Sequence, residues 1–315
     1  MTYTEKELCS SETIVMKNTI TEEDYKELCS LEMLCKEENI NLKLELPYKL
    51  SLLASKTGAL PSPSCMKEYF YYSGNALVSY LGICSFGGNV YEVNGLTHPD
   101  YRKRGLFKRL YQHAAKECRS FEKNKLLLIT DVNSPSGIGF IESVGGAYAF
   151  TESRMTLSSA DYSNYHFEKE DIREKVLLRE ATAKDAALIQ KYDRVLYADE
   201  EEEETDTLAE RNLTSVQNTY LIEGKGTILG KIRIDMQKEE AFLYGFGILP
   251  EFRGQGYGKA ALGEALRIIF EKGCKTAALD VETKNDRAFS IYTGNGFHPV
   301  SAMKYYEVCL SSDLI

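Results

Sequence analysis

Tyr244-Gly245-Phe246-Gly247-Ile248-Leu249-Pro250-Glu251-Phe252-Arg253-Gly254-Gln255-Gly256-Tyr257-Gly258-Lys259 runs from an apolar segment through a glycine-rich turn into a stretch with apolar residues at helical spacing. Glycine lets backbone N–H groups approach a ligand with no Cβ in the way. A helix start adds unpaired N–H donors and the positive end of the helix dipole. Together they form a cradle for an anion such as a pyrophosphate. Arg253 and Lys259 place positive charge beside it. A turn that merely caps a helix would leave the alternate glycines Gly254, Gly256 and Gly258 and the flanking cations unexplained. The spacing is also not the Gly-x-Gly-x-x-Gly of dinucleotide sites, and a strand meander precedes it instead of a βαβ unit, which argues against nicotinamide or flavin.

The same order of elements occurs earlier in the chain. Pro99-Asp100-Tyr101-Arg102 and Pro250-Glu251-Phe252-Arg253 are separated by an offset of 151, which also pairs Gly105 with Gly256. Asn133 and Asn285 differ by 152, as if one residue were inserted. A repeat of this length means two copies of one domain. In the first copy, residues 1–57 read as helical and Pro61-Ser62-Pro63-Ser64 ends them. Three strands are predicted over 68–97, with turns at Ser73-Gly74-Asn75 and Gly87-Gly88-Asn89. A helix from about Gly105 to Phe121 comes next, then a buried strand at Leu126–Ile129, a helix over 136–144 and closing strands near 147–157. In the second copy, strands are expected at 176–179, 219–223, 227–235, 240–249 and 276–281, helices at 182–197, 256–272 and 286–294, and terminal strands near 297–300 and 303–310. The expected domains are 1–160 and 176–315, joined by a polar linker at 161–175. The fold class is α/β: a mixed, mostly antiparallel sheet flanked by helices, in two tandem domains.

Composition narrows the function. The chain has 315 residues, 43% hydrophobic and 27% charged, which suits two globular domains. A net charge of −9 without a basic stripe argues against nucleic acid as a partner. No stretch of about 18 apolar residues suggests a membrane span, and the polar start of the sequence is unlike a signal peptide. The eight cysteines are irregularly spaced with no C-x-x-C pair, as expected for thiols in a reducing cytoplasm, and the four histidines lack metal-ligand spacing, so no metal site is expected. Self-association into a homodimer is compatible with this composition.

The glycine turn and the segment after it closely resemble the GNAT superfamily of acyl-CoA N-acyltransferases, whose pyrophosphate motif is Arg or Gln, two residues, Gly, one residue, then Gly or Ala. Arg253, Gly256 and Gly258 match it. Phe246-Gly247-Ile248-Leu249-Pro250 looks like the family's fourth strand and its bulge. Leu279-Asp280-Val281-Glu282-Thr283-Lys284-Asn285, with Ala288-Phe289-Ser290-Ile291-Tyr292 and Gly296-Phe297, looks like its second motif. The resemblance covers about 176–310 well and 68–157 more loosely. It implies acetyl-CoA as cosubstrate, a small-molecule or peptide amine as acceptor, and an N-acetyltransferase activity. It further implies that Phe246, Gly247 and Ile248 hold the pantetheine and thioester, that Arg253, Gly254, Gln255, Gly256, Tyr257, Gly258 and Lys259 hold the pyrophosphate, that Asn285 and Ala288 lie near the CoA arm, and that Tyr292 is the general acid for the departing thiolate. Glu240, on the fourth strand with Phe242 and Tyr244, is a candidate base beside a water relay. The first copy keeps Arg102 and Gly105 but has Phe107 for the second glycine, and Phe140 or Ile141 for the tyrosine, so it is expected to be non-catalytic. The acidic run Asp199–Glu204 would either be a solvated loop or attract a cationic amine. The rival to catalysis is an acyl-CoA-binding or sensing protein without turnover. The residues leave open the acceptor, the base, and acetyl against a longer acyl group.

Overall fold

The computed structural model of the chain describes residues 3–5, 12–36, 40–46, 49–50, 67–84, 90–119, 125–164, 176–197 and 216–310. The acidic run 199–204, most of the expected linker and the turn at 87–89 lie outside these residues. Two compact units form, one of Met1–Phe150 with Met303–Ile315, the other of Thr151–Ala302.

The first unit holds β1 (Tyr3–Glu5), β2 (Glu12–Lys17), α1 (Glu22–Lys36), β3 (Lys67–Ser73), β4 (Ala76–Cys84), β5 (Val90–Thr97), α2 (Leu106–Cys118), β6 (Lys125–Asp131) and α3 (Pro135–Ser143), the first residues of β7 (Ala147–Ser158) and residues 303–309 of β13 (His298–Cys309). Its strands run β1-β2-β3-β4-β5-β6-β13, antiparallel except for β5 with β6. The parallel pair needs a crossover, and α2 supplies it, burying Leu106, Leu110, Ala114 and Cys118 along one face. Residues 12–17 form a strand where helix was expected: Thr13-Ile14-Val15 is a β-branched run, and it pairs with β3 from Glu12↔Ser73 to Lys17↔Glu68.

The second unit repeats the plan. It holds residues 151–158 of β7, α4 (Ser159–Asn164), β8 (Leu177–Glu180), α5 (Ala186–Leu196), β9 (Thr219–Gly224), β10 (Thr227–Met236), β11 (Glu240–Ile248), α6 (Tyr257–Glu271), β12 (Thr276–Glu282) and α7 (Asp286–Thr293). Its strand order is β7-β12-β11-β10-β9-β8, with β11 and β12 parallel. Here α6 is the crossover; Ala260, Ala261, Leu262, Ala265, Leu266 and Ile269 are buried in the unit's main core. Each fold is therefore the mixed, mostly antiparallel sheet with flanking helices that the pattern predicts.

The closing strands are exchanged relative to a simple tandem order. Residues 152–158 of β7 pair with β12, from Glu282↔Glu152 to Thr276↔Ser158, inside the second unit. Residues 303–309 of β13 pair with β6, from Met303↔Asp131 to Cys309↔Lys125, inside the first. The compact units thus divide the chain at 150/151 and 302/303, whereas the sequence repeat divides it at 160 and 176. Alternating apolar residues identify a strand but carry no label for its partner. Among the described residues no helix is long and apolar enough to cross a membrane, and no three His, Cys, Asp or Glu side chains are grouped to hold a metal ion.

Candidate active site

The site in the second unit starts with a strand that loses one neighbour. β11 pairs with β12 only over Glu240–Leu243, against Thr276–Leu279, while on its other side it pairs with β10 as far as Ile248. From Tyr244 onward the β12-facing edge of β11 has no ladder partner, so backbone groups there are available to a ligand. The same stretch is bulged: Lys231 faces Gly247 and Arg233 faces Tyr244, which leaves Gly245 and Phe246 opposite the single residue Ile232. Gly245 has φ +54°, a left-handed conformation that favours glycine.

The chain then turns into α6. Leu249 donates its N–H to Leu229 O at 2.9 Å, Pro250–Phe252 make one tight helical turn, and the Arg253 N–H closes it on Pro250 O at 3.2 Å. Arg253 Nε donates to Ile248 O at 2.8 Å and Gln255 Nε2 to Glu251 O at 3.3 Å, which ties both ends of the turn. Gly254 (φ +77°) and Gly256 (φ +84°) carry the left-handed residues of the turn, and a Cβ built on either would meet nothing within 4 Å. Gly256 is the N-cap and offers no side chain to the first-turn amides of α6. Open space over uncapped N–H groups at a helix N-terminus fits a phosphate-bearing group. Arg253, Gln255 and Lys259 are exposed around it, whereas the Tyr257 ring is buried and contributes to the core, leaving its backbone for the ligand side. Gly258 sits where the three elements meet: a Cβ there would lie 3.6 Å from Ile291, 3.8 Å from Ile248 and 3.9 Å from Phe246.

α7 brings in Tyr292. Asn285 caps this helix, its Oδ1 accepting the Ala288 N–H at 3.0 Å, so both residues act first as helix-start geometry. Tyr292 lies one helical step from Ile291, packs on the core and meets the Phe297 ring edge-on at 6.1 Å. Burial pushes its hydroxyl up to about 12, so it keeps its proton at neutral pH.

Glu240 is not brought to this place. It opens β11 at the closed end of the β11–β12 pair, five residues before Gly245, roughly 16 Å along a strand at about 3.3 Å per residue. Its carboxylate is held by Arg154 at 2.8 Å, and Arg154 also reaches Asp280 at 3.5 Å and stacks on the Phe242 ring at 4.5 Å. An open cleft of about 810 Å³ in the same unit is lined by Glu223, Lys225, Glu264, Arg267 and Glu271, at the far turns of α6, and holds none of the site residues.

One group near the bulge escapes a motif search. Lys231 of β10 is fully buried; its Nζ lies 2.5 Å from Asp193 Oδ1 and donates to Gly245 O at 3.3 Å. Arg233 Nη2 meets the other oxygen of Asp193 at 3.2 Å. The visible signal was two cations at alternate positions in the apolar run Ile228-Leu229-Gly230-Lys231-Ile232-Arg233-Ile234, on one face of a strand.

The first unit reproduces the turn but not the opening. Arg102 Nε donates to Thr97 O at 3.1 Å, Arg104 to Asp100 O at 2.7 Å, and Gly105 (φ +77°) starts α2. β5, however, pairs with β4 without a register shift. Phe107, at the position of Gly258, packs edge-on against Phe140 at 4.8 Å, and its ring would lie 2.6 Å from a Cβ on Gly95. The N-cap of α3 is Ser134, whose Oγ accepts the Gly137 N–H at 3.1 Å. The 151 offset therefore holds through the second motif without an insertion, Ser134 answers to Asn285, and buried Ile141 takes the place of Tyr292.

Comparison with known proteins gives the family. The model of the acetyltransferase (GNAT) family matches residues 28–145 and again 186–297, well over half of the chain. The [ribosomal protein bS18]-alanine N-acetyltransferase of Haemophilus influenzae is 36% identical over 89 residues, 28% of this chain and 60% of that protein. An uncharacterized N-acetyltransferase, YycN, of Bacillus subtilis is 35% identical over 60 residues, 19% of this chain and 38% of that protein. The chain thus spans about 60% or less of the length of these two relatives. Among solved structures, a GCN5-related N-acetyltransferase from Sphaerobacter thermophilus superposes with a TM-score of 0.72 at 13% identity, covering 94% of this chain and 96% of that one. A tandem GNAT protein from the clavulanic acid biosynthesis pathway gives 0.68 at 14% identity, covering 96% and 99%; at such identities the likeness speaks to the fold. The chain belongs to the acetyltransferase (GNAT) family, with two copies of the family domain in tandem.

Proposed function

We propose that the protein is an acetyl-CoA-dependent N-acetyltransferase that works from the second unit alone and acylates a primary amine. The observation that carries this is the opening between β11 and β12, with the bulge at Gly245–Phe246, the uncapped start of α6 and Ile291 of α7 meeting at Gly258, and Tyr292 next to Ile291 on the same helix. Acetyl-CoA would supply an acyl group already activated as a thioester. The α6 N-terminus, with Arg253 and Lys259 beside it, would hold the pyrophosphate. Backbone groups of Phe246 and Ile248 would hold the pantetheine and orient the carbonyl, a preorganised donor being worth more in a site that excludes water. Tyr292 keeps a proton available for the leaving sulfur. The amine loses its proton to water, since Glu240 is committed to Arg154 away from the opening.

For the acceptor we favour the N-terminal amine of a peptide. The likeness to a ribosomal-protein alanine N-acetyltransferase supports this class, although it covers only part of each chain. The test is thiol release from acetyl-CoA with a panel of peptides beginning in alanine, lysine-containing peptides and polyamines. Turnover is expected with the first, and Tyr292→Phe should lower kcat by about 10²- to 10⁴-fold with acetyl-CoA affinity near the wild-type value. Tight acetyl-CoA binding without thiol release for any amine would favour the binding or sensing role instead.

A further inference from the structure

Lys231 is an expensive residue to bury. An ammonium removed from water is strongly destabilised unless charges and dipoles replace its hydration. Asp193 of α5 replaces part of it, and the Tyr197 ring lies 5.2 Å from Nζ. Asp193 also meets Arg233, so one carboxylate serves two cations. Lys231 Nζ also donates to the carbonyl of Gly245, the left-handed residue of the bulge. The same helix presses on the bulge a second time: a Cβ on Gly247 would lie 2.7 Å from Leu196.

We propose that Lys231 is a positioning residue for acyl transfer, its buried ammonium pinning the Gly245 carbonyl and so fixing the bulge. This rests on the N-acetyltransferase reading of the second unit. The peptide between Gly245 and Phe246 is planar and trans, so its C=O and N–H point in opposite directions. Anchoring the carbonyl therefore fixes the Phe246 amide as well, without Lys231 touching the reactants. The first unit supports the link. At the position of Lys231 it has Tyr80, whose hydroxyl is buried with Glu68 and Lys49, and its β5 pairs without any bulge. The strand lysine and the bulge occur together in one copy; in the other the buried cation is Lys49, which donates to the Tyr80 hydroxyl and not to a β5 carbonyl, and β5 has no bulge.

The test compares wild type with Lys231→Met and Lys231→Arg in the full chain. Met keeps the length of the side chain and leaves Asp193 paired with Arg233. Amide hydrogen exchange without ligand should accelerate in residues 244–248 of Lys231→Met while β9 and β12 keep their protection. The kcat should fall about 10- to 100-fold, the cost of a displacement of about 1 Å at a reacting centre, with KM for acetyl-CoA changed by less than about threefold. Lys231→Arg should recover part of both effects. Exchange that is unchanged at the bulge, or that accelerates evenly across the unit, overturns the proposal, as does a loss in KM alone. If wild type releases no thiol with any amine, the functional reading fails by itself, and the local exchange pattern still decides whether Lys231 anchors the bulge. Should Lys231→Met not fold, Asp193→Asn, which loosens the hold on Lys231, is judged by the same criteria.

Discussion

At the start of α6 a glycine lies beside the end of β11, and at the start of α2 a phenylalanine fills the same place beside β5. The two turns leading there are alike in detail: each arginine Nε is bound to the carbonyl of the last strand residue, each turn passes through a short Pro-led helical turn, and each N-cap glycine is left-handed. The strands differ. β11 is bulged at Gly245, whereas the matching residue of β5, Asn94, is buried and donates to Lys43 O, while Asn41 N–H donates to Asp131 Oδ2 at 2.9 Å. Residues 40–46 are thereby tied to the middle of β5 and the end of β6, with Leu44 and Leu46 in a core cluster. Two properties that the motif conflates are thus separate. Arg, Pro and the N-cap Gly build a turn; space beside the helix and a bulged strand are what the proposed acetyl-CoA site adds to it.

The hardest way to break the comparison is to remove the strand that the first unit takes from the end of the chain. A chain ended after Ala302 lacks Met303, Tyr305, Tyr306 and Val308, all buried against β6 or the adjoining core. Burial of such side chains is worth about 1.5–3 kcal/mol each. Losing four is comparable to the whole stability of a typical domain, about 5–15 kcal/mol. The expected outcome is loss of amide protection in β5 and β6. Full protection of β6 in that shortened chain would mean the first unit is complete without β13.

A second experiment sharpens the difference between the turns. Gly105 and Gly256 have almost the same backbone angle, and a side chain on either meets open space. Gly105→Glu and Gly256→Glu should therefore cost similar stability, of order 1–2 kcal/mol for a left-handed residue with a Cβ. Acetyl-CoA binding should separate them. A carboxylate against a phosphate costs several kcal/mol, so Gly256→Glu is expected to weaken affinity by about 100-fold or more, and Gly105→Glu to leave it within about threefold. Calorimetry should find one tight site per chain in wild type. Two equal sites, or equal losses in both variants, would erase the asymmetry.

Much of this was legible in the residues. The fold class followed from a strand meander, a crossover helix and a short final strand written twice, and the turn's conformation followed from Gly254 and Gly256, because positive φ selects glycine. The inequality of the copies was visible in Phe107. The partners of the last strands were not legible, since β7 alternates and β13 alternates except at the adjacent buried Tyr305 and Tyr306, and nothing in either pattern chooses between two sheets. Glu240 was legible as a carboxylate on the right strand, but strand membership does not give depth along it, and only the point where β11 leaves β12 shows it lies at the far end. Lys231 and Asp193 are about 40 residues apart, and only packing of α5 on β10 brings them together.

The smallest effect expected lies in the alkaline range, and it concerns the one position where the second unit has a hydroxyl and the first has Ile141. Burial raises the Tyr292 hydroxyl to about 12, against about 10 for an unfolded chain. The folded state therefore holds this proton more tightly than the unfolded state. Its contribution to stability is complete below about pH 10 and is lost as pH rises from about 10 to about 12, because the unfolded chain ionises first. Two consequences can be measured. As proton donor, Tyr292 should give kcat no falling limb below about pH 11; a limb near pH 10 that disappears in Tyr292→Phe would mean the hydroxyl is more exposed to water than its packing against Phe297 indicates. In denaturant titrations, wild type should lose stability relative to Tyr292→Phe between pH 10 and 12 and track it from pH 7 to 9. A constant gap across the whole range would assign the hydroxyl a pH-independent packing role and remove the burial argument for Tyr292 as the acid.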